Sequence, residues 1–480
     1  MGPRLFFIFC THPFPTSTVM NLQWTDRPLR ELLRLAWPIA VSTISYSVMT
    51  IVDTLLIGHV GRAELAGVGL GGISSFVLLC FSFGLLQGAK ILVSQAIGAG
   101  RADRAEAYLG AAVLSAVSIG ALTAIVGQFA AVFVGRLAAT EAAGHAASLY
   151  LRIRISGAPL VLLYAALREV RYAHGDARSP MVATVSAQIV NISLAFVFIF
   201  VLHRGVAGAA VASVIAHLVE ALVLSLAQRA RGFGLRAVSR EHLADLFRVG
   251  LPTALQFVLE VGAFATLSLL ISLFSEVDMA AHQIAIQVCH LSFLPSIAVA
   301  EAGSVLVGQA VGAGLYALVL RMARLALAIT VAQAAAWSFV FWLAARPIAS
   351  LFTTDLGVVA TAVTLLHVSA AFQIFDAANI VARCALRGAG DVRYAAIVGV
   401  LTSWLCTPTF AWVLGYRLKL GAFGGWLGLC IEIILAAALF WLRLERRGWL
   451  AIATASRARL LATPSRVTEE SLPVGLSPAE

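Results

Sequence analysis

Six carboxylates sit in stretches that are otherwise apolar: Asp53, Glu220, Glu260, Glu301, Asp376 and Glu432. A charge at bilayer depth costs at least ~2.5–3.5 kcal/mol on insertion scales, so acids in such places are candidates for binding cations or carrying protons. Two of them have polar company at helical spacing. Gln256 precedes Glu260 by one turn, and Gln373 and Asn379 flank Asp376 at three residues on either side, so each group shares a helix face. Glu260 and Asp376 are therefore the leading candidates for a proton site, or for metal ligands if the ion is Na⁺. The competing reading is a carboxyl group hydrogen-bonded for packing alone. It weighs most for Glu220 and Glu432, less for Glu301. For Asp53, close before Gly58-His59-Val60-Gly61, the rival is a solvated helix end.

Two basic residues belong with this set as possible modulators. Lys90, one of only two lysines, could pair with a carboxylate or repel cationic cargo. His282 could titrate near neutrality, or make an interfacial polar contact at the outer start of its helix. Sequence signatures of hydrolases, zinc proteases and nucleotide-binding loops are missing, which points to a non-enzyme without cofactor that draws on an ion gradient.

The elements that must hold these residues are spanning helices. Of the 480 residues 60% are hydrophobic and only 12% charged, and mean hydropathy is +0.92. Soluble domains average ~45–50% apolar and ~25% charged residues. Long apolar runs without two-residue alternation predict α-helices rather than a barrel. Twelve spans are expected, near 33–57, 65–97, 107–133, 144–172, 181–202, 206–228, 247–273, 279–311, 318–344, 358–386, 394–416 and 422–443.

The spans form two sets of six because the chain repeats itself. Ser94-Gln95-Ala96-Ile97-Gly98-Ala99-Gly100 returns as Gly308-Gln309-Ala310-Val311-Gly312-Ala313-Gly314, and Pro38 falls on Pro252 at the same offset. Such internal symmetry in a membrane chain points to a transporter with its site between the halves. The expected fold is thus an all-α polytopic membrane protein of twelve transmembrane helices in two pseudo-symmetric six-helix lobes. Its parts are an N-terminal cytoplasmic segment (1–31), a first lobe (32–228), a cytoplasmic linker (229–245), a second lobe (246–445) and an unstructured tail (446–480). The carboxylates do not follow the repeat: Glu260 falls on Tyr46, Asp53 on Leu267 and Glu301 on Gln87.

A formal net charge of +10 fits topology better than nucleic-acid binding, because most of the basic residues fall at helix ends that would face the cytoplasm. Among these are Arg101, Arg104, Arg387, Arg393 and Arg443. Both termini are then cytoplasmic. The apolar stretch Leu5–Cys10 resembles a signal peptide only superficially, and Met20 is an equally sensible start. Six scattered cysteines match no metal site or disulfide framework; small packing residues are the expectation.

Several motifs together resemble the MATE (multidrug and toxic compound extrusion) family of the MOP superfamily, nearest to the NorM and DinF-like bacterial branches. They are Pro38 with Val52-Asp53-Thr54 and Gly58-His59-Val60-Gly61, the two Gln-Ala-x-Gly-Ala-Gly turns, Ala280-Ala281-His282-Gln283 and Leu386-Arg387-Gly388-Ala389-Gly390-Asp391. The resemblance implies a monomeric inner-membrane antiporter that exports lipophilic, often cationic compounds for H⁺ or Na⁺. By position it implies a protonated site at Asp53, with Asn191 contributing, and a cation site at Glu260 and Asp376. Where relatives often carry Asn or Asp, this chain has Ala195, which shifts the expected coupling towards the second lobe. The alternatives are a lipid-linked oligosaccharide flippase, whose pyrophosphate cargo calls for a basic cavity, and a non-transporting scaffold or sensor.

Overall fold

The computed structural model describes residues 23–462; the readings of Leu5–Cys10 and Met20 fall outside the described residues. Fourteen α-helices follow one another and no strand occurs among the described residues. The first set comprises α1 (Pro28–Gly58), α2 (Arg62–Gly98), α3 (Ala102–Arg136), α4 (Glu141–Ser156), α5 (Ala158–Ala173), α6 (Arg178–Phe196) and α7 (Gly205–Arg229). The second comprises α8 (Arg240–Ser272), α9 (Glu276–Ala313), α10 (Tyr316–Ser350), α11 (Leu356–Gly388), α12 (Val392–Phe410) and α13 (Gly421–Glu445), followed by α14 (Leu450–Ala462). Among the described residues, eleven helices are long and apolar enough to cross a membrane, or twelve if α4 and α5 form one span.

That pair is a departure from the single span expected near 144–172. The two helices meet at Gly157 with a 50° bend. Pro159 has no N–H to give and its ring opposes the carbonyl four residues earlier, so the helical ladder breaks there. The equivalent helix of the second lobe, α11, contains no proline and runs on unbroken.

Elsewhere the backbone repeats more faithfully than the side chains. Gly100 (φ +72°) and Gly314 (φ +78°) end the equivalent helices α2 and α9 in the left-handed region, where only glycine escapes a steric penalty. A π-helical turn starts at Val197 after α6 and at Ala411 after α12, 214 residues apart. Each is followed by a left-handed residue, His203 and Lys419.

The lobes meet at the end carrying the glycine turns. A Cβ on Gly98 would lie 2.0 Å from Gln309 O, and one on Gly312 would lie 2.0 Å from Gln95 O. Two copies of one turn therefore touch backbone to backbone. One apolar core also crosses the boundary, joining Leu32, Leu35 and Tyr172 to Val307, Val311 and Leu386.

The expected unstructured tail is corrected in its first part: α14 is helical through Ala462. It lies across the seam, with Ser456 Oγ donating to Gln95 Oε1 (2.6 Å) and Arg457 Nε donating to Gly312 O (3.0 Å). Arg101 Nη1 donates to Leu460 O (2.6 Å). The last two bonds satisfy backbone carbonyls in the final turns of α9 and α14, which the helices themselves leave without partners. The linker, too, is shorter than expected, because α8 begins at Arg240 behind an N-cap at Ser239.

Candidate functional site

Helices α8, α11, α12 and α13 enclose a cavity of about 180 Å³ within the second lobe. Three carboxylates reach it, Glu260 from α8, Asp376 from α11 and Glu432 from α13. Asn379, Thr402, Ser403 and Thr407 add polar groups, while Phe264 and Phe440 supply apolar wall. The cavity holds one guanidinium, that of Arg383.

Arg383 lies seven residues beyond Asp376 and four beyond Asn379, on one face of α11. Its Nη1 donates to both oxygens of Glu260 at 3.1 Å. Gln256 Nε2 donates to the same carboxylate at 2.7 Å, as their one-turn spacing predicted. The Gln256 oxygen in turn accepts from Arg387 Nη2 at 2.8 Å, and Arg387 Nη1 donates to Gln87 of the first lobe at 3.2 Å. Glu260 is thus the end of a hydrogen-bonded chain that crosses the seam. Thr407 Oγ1 donates to Glu432.

Three carboxylates against one guanidinium leave the cavity acidic. An arrangement of this kind favours cations, and Arg383 is a tethered cation already in it. Sequence reading missed Arg383, although its place on the Asp376–Asn379 face was visible. Glu432 joins the same cavity from α13, which nothing local in the sequence ties to α8.

The remaining site candidates divide. Gln373 turns away from Asp376 and donates to Ser292 Oγ on α9 at 2.5 Å; the shared face with Asp376 does not bring them together. Glu301 is outside the cavity lining. It instead pairs with Lys90 of the first lobe, whose Nζ also lies 3.3 Å from Glu169 Oε2. His282 is fully buried rather than interfacial, between Ser268 (3.0 Å) and Trp426 Nε1 (3.0 Å). Arg387, counted above among charges at the cytoplasmic surface, is buried in the chain of bonds just described, and Arg104 is buried against His242.

In the first lobe Asp53 and Asn191 lie side by side. With the Asn191 amide turned so that both of its ends are satisfied, its nitrogen donates to Asp53 Oδ1 at 3.0 Å and its oxygen accepts from the Ser213 N–H at 3.3 Å. Ala195 is completely buried, so the missing polar group there is replaced by packing. Tyr46, the repeat counterpart of Glu260, donates to Glu220 Oε1 at 2.6 Å, and His217 Nδ1 lies 3.1 Å from Glu220 Oε2. Each lobe therefore has its own hydrogen-bonded carboxylates, set among different residues.

Comparison with known proteins agrees with this architecture. A family model described as MatE matches twice, at residues 38–197 and 252–413; its two starting points are Pro38 and Pro252. The chain is 29% identical over 426 residues to the "Probable multidrug resistance protein NorM" of Pseudomonas syringae pv. tomato, covering 85% of this chain and 92% of that one. It is 30% identical over 451 residues to the protein so named from Bradyrhizobium diazoefficiens, covering 90% and 96%. Among solved structures, a MOP superfamily transporter from Pyrococcus furiosus superposes with a TM-score of 0.84 at 23% identity, over 92% of this chain and all of that one. A MATE in the straight conformation gives the same values.

Proposed function

The chain belongs to the MatE family, and from that premise we propose that it is a secondary active antiporter exporting lipophilic cations in exchange for H⁺ or Na⁺. The observation that carries the reading is the acidic cavity shared by Glu260, Asp376 and Glu432 with Arg383. A basic cavity, as a pyrophosphate-carrying flippase calls for, would need the opposite balance. The names borne by the NorM relatives support drug export.

In the conformation at hand Glu260 is held by Arg383. A cationic substrate competes with that guanidinium and gains attraction from Asp376 and Glu432. At an effective dielectric of about 20, a unit charge about 4 Å from a carboxylate gains about 4 kcal/mol. A proton or Na⁺ taken up by the same carboxylates cancels the attraction and expels the substrate. Substrate and coupling ion then exclude one another, which is the requirement for exchange. Asp53 with Asn191, and Glu220 with Tyr46 and His217, serve as the first lobe's own protonation centres in this scheme.

The reading places the protein as a monomer in the bacterial inner membrane with both termini cytoplasmic. Arg101, Arg393, Arg446 and Arg447 lie at helix ends on the glycine-turn side, together with the bonds from α14, and a basic end belongs on the cytoplasmic side. The closed seam then faces inward and this conformation faces out.

The test is ethidium-driven ion flux in proteoliposomes, with Na⁺ and pH gradients varied independently. Flux should follow one gradient and be lost in Glu260→Gln and Asp376→Asn. Undiminished exchange in both variants would remove the second-lobe cavity from the mechanism.

A further inference from the structure

A second group of buried charges lies on the seam itself, outside the cavity. Lys90 on α2 is 3% exposed, although Lys is a residue type this chain uses only twice. Its ammonium bonds Glu301 on α9, across the lobe boundary, and faces Glu169 on α5 of its own lobe at 3.3 Å. Arg168 Nη2 also reaches Glu169, at 2.9 Å. Two cations and two carboxylates thus balance formally, with Arg168 serving Glu169 and Lys90 serving Glu301.

Geometry shows that the site is shaped around a cation. Glu169 is 4% exposed, and its Oε2 points at the Lys90 ammonium without completing a hydrogen bond. An ammonium carries three donors, which suits a position between carboxylates arriving from two sides. Without that charge, Glu301, whose side chain is 17% exposed, would lose its cationic partner, and removing one partner of a largely desolvated pair costs more than absence of the whole pair. The lobes could relieve it only by separating and admitting water.

We propose that Glu169 and Glu301 form an inter-lobe site for a primary ammonium, filled in this conformation by the chain's own Lys90. Its occupancy holds the lobes together at the glycine-turn end. Opening that end pulls Lys90 away from Glu301 and gives the carboxylate to water. The inference deepens the antiport reading and rests on it for the purpose of opening. The lobe contact itself is measurable without transport.

Deuterium exchange of the full-length protein in detergent tests it, reading peptides that cover residues 95–104 and 309–318. Lys90→Ala should raise early uptake several-fold in both. Millimolar ethylammonium chloride should restore protection where the same concentration of NaCl does not. Lys90→Arg should retain wild-type uptake, which shows that the fold is intact. Glu301→Gln should raise uptake without responding to ethylammonium. Wild-type uptake in Lys90→Ala or Glu301→Gln would overturn the proposal, as would a Lys90→Ala response no different between ethylammonium and NaCl. Lys90→Arg uptake raised as far as in Lys90→Ala would assign the effect to packing and also overturn it. Loss of ethidium exchange plays no part in this readout, so failure of the export reading leaves the result interpretable.

Discussion

Gln95 and Gln309 occupy the same position of the repeat and each reaches into the opposite lobe. Gln95 Nε2 donates to Gly388 O at 3.1 Å, and Gln309 Nε2 donates to Ala173 O at 3.0 Å. Both acceptors lie at the C-terminal ends of equivalent helices, α11 and α5. Their own side-chain oxygens are covered from outside the lobes, Gln309 by Trp24 Nε1 (2.8 Å) and Gln95 by Ser456. The duplication has been turned into a two-fold clasp, and the ends of the chain cover it.

The clasp depends on the two glycines beside it. Gly98→Ala and Gly312→Ala each place a methyl group against a backbone carbonyl that cannot swing aside. Overpacking of that kind costs ~1–3 kcal/mol, all of it charged to the closed conformation. Thermal unfolding in detergent should show both variants destabilised. Gly69→Ala, where nothing lies within 4 Å, should be neutral or slightly stabilising.

Arg383 and Glu260 form a partly buried pair, 23% and 27% exposed at their side chains. Removing one partner from a buried pair costs about 3–5 kcal/mol, and exposure here reduces that figure. Arg383→Gln should therefore lower the unfolding temperature more than the double variant Glu260→Gln/Arg383→Gln does. The single variant should also bind tetraphenylphosphonium more tightly, because the competing guanidinium has gone. Equilibrium binding on the purified protein measures it. Unchanged affinity would mean that Arg383 and the substrate do not compete.

Helix α14 adds hydrogen bonds to both lobes, each with a net value of about 0.5–1.5 kcal/mol. A chain ending at Trp449 loses the Ser456 and Arg457 bonds to the seam. It should unfold at a lower temperature than a chain ending at Ala462, and show greater deuterium uptake around Gly312. Identical behaviour of the two truncations would reduce α14 to a surface ornament.

His174, at the end of α5 beside the Gly175 turn, gives a pH dependence. Burial pushes its imidazole down to about 4, against an ordinary value near 6.5. Between those values the unfolded chain binds the extra proton and the folded one does not, so stability falls as pH falls through that window. Thermal stability measured from pH 7 to pH 4 should decline, and His174→Gln should flatten part of the decline.

Much of this was legible in the chain. Hydropathy marked the spans because a helix in lipid must satisfy its backbone internally, whatever its neighbours are. The repeat marked the lobes, and one-turn spacing marked Gln256 on Glu260. Spacing failed at Gln373, which shares a face with Asp376 but points to Ser292, because a helix face is wide enough to serve two neighbours. It failed also at His282, whose place near a helix start suggested the interface, while Trp426, 144 residues away, buries it.

The sequence by itself determined the membrane-spanning class, the two-fold plan, and the placing of the carboxylates within apolar helices, since each follows from local composition and periodicity. Tertiary structure alone decided which charge answers which. Arg383 finds Glu260 across 123 residues and Lys90 finds Glu301 across 211. Glu432 joins the cavity only because α13 packs beside α11 and α12. Burial makes an unpaired charge costly wherever it lies, but only the packing of distant helices determines the partner that relieves the cost.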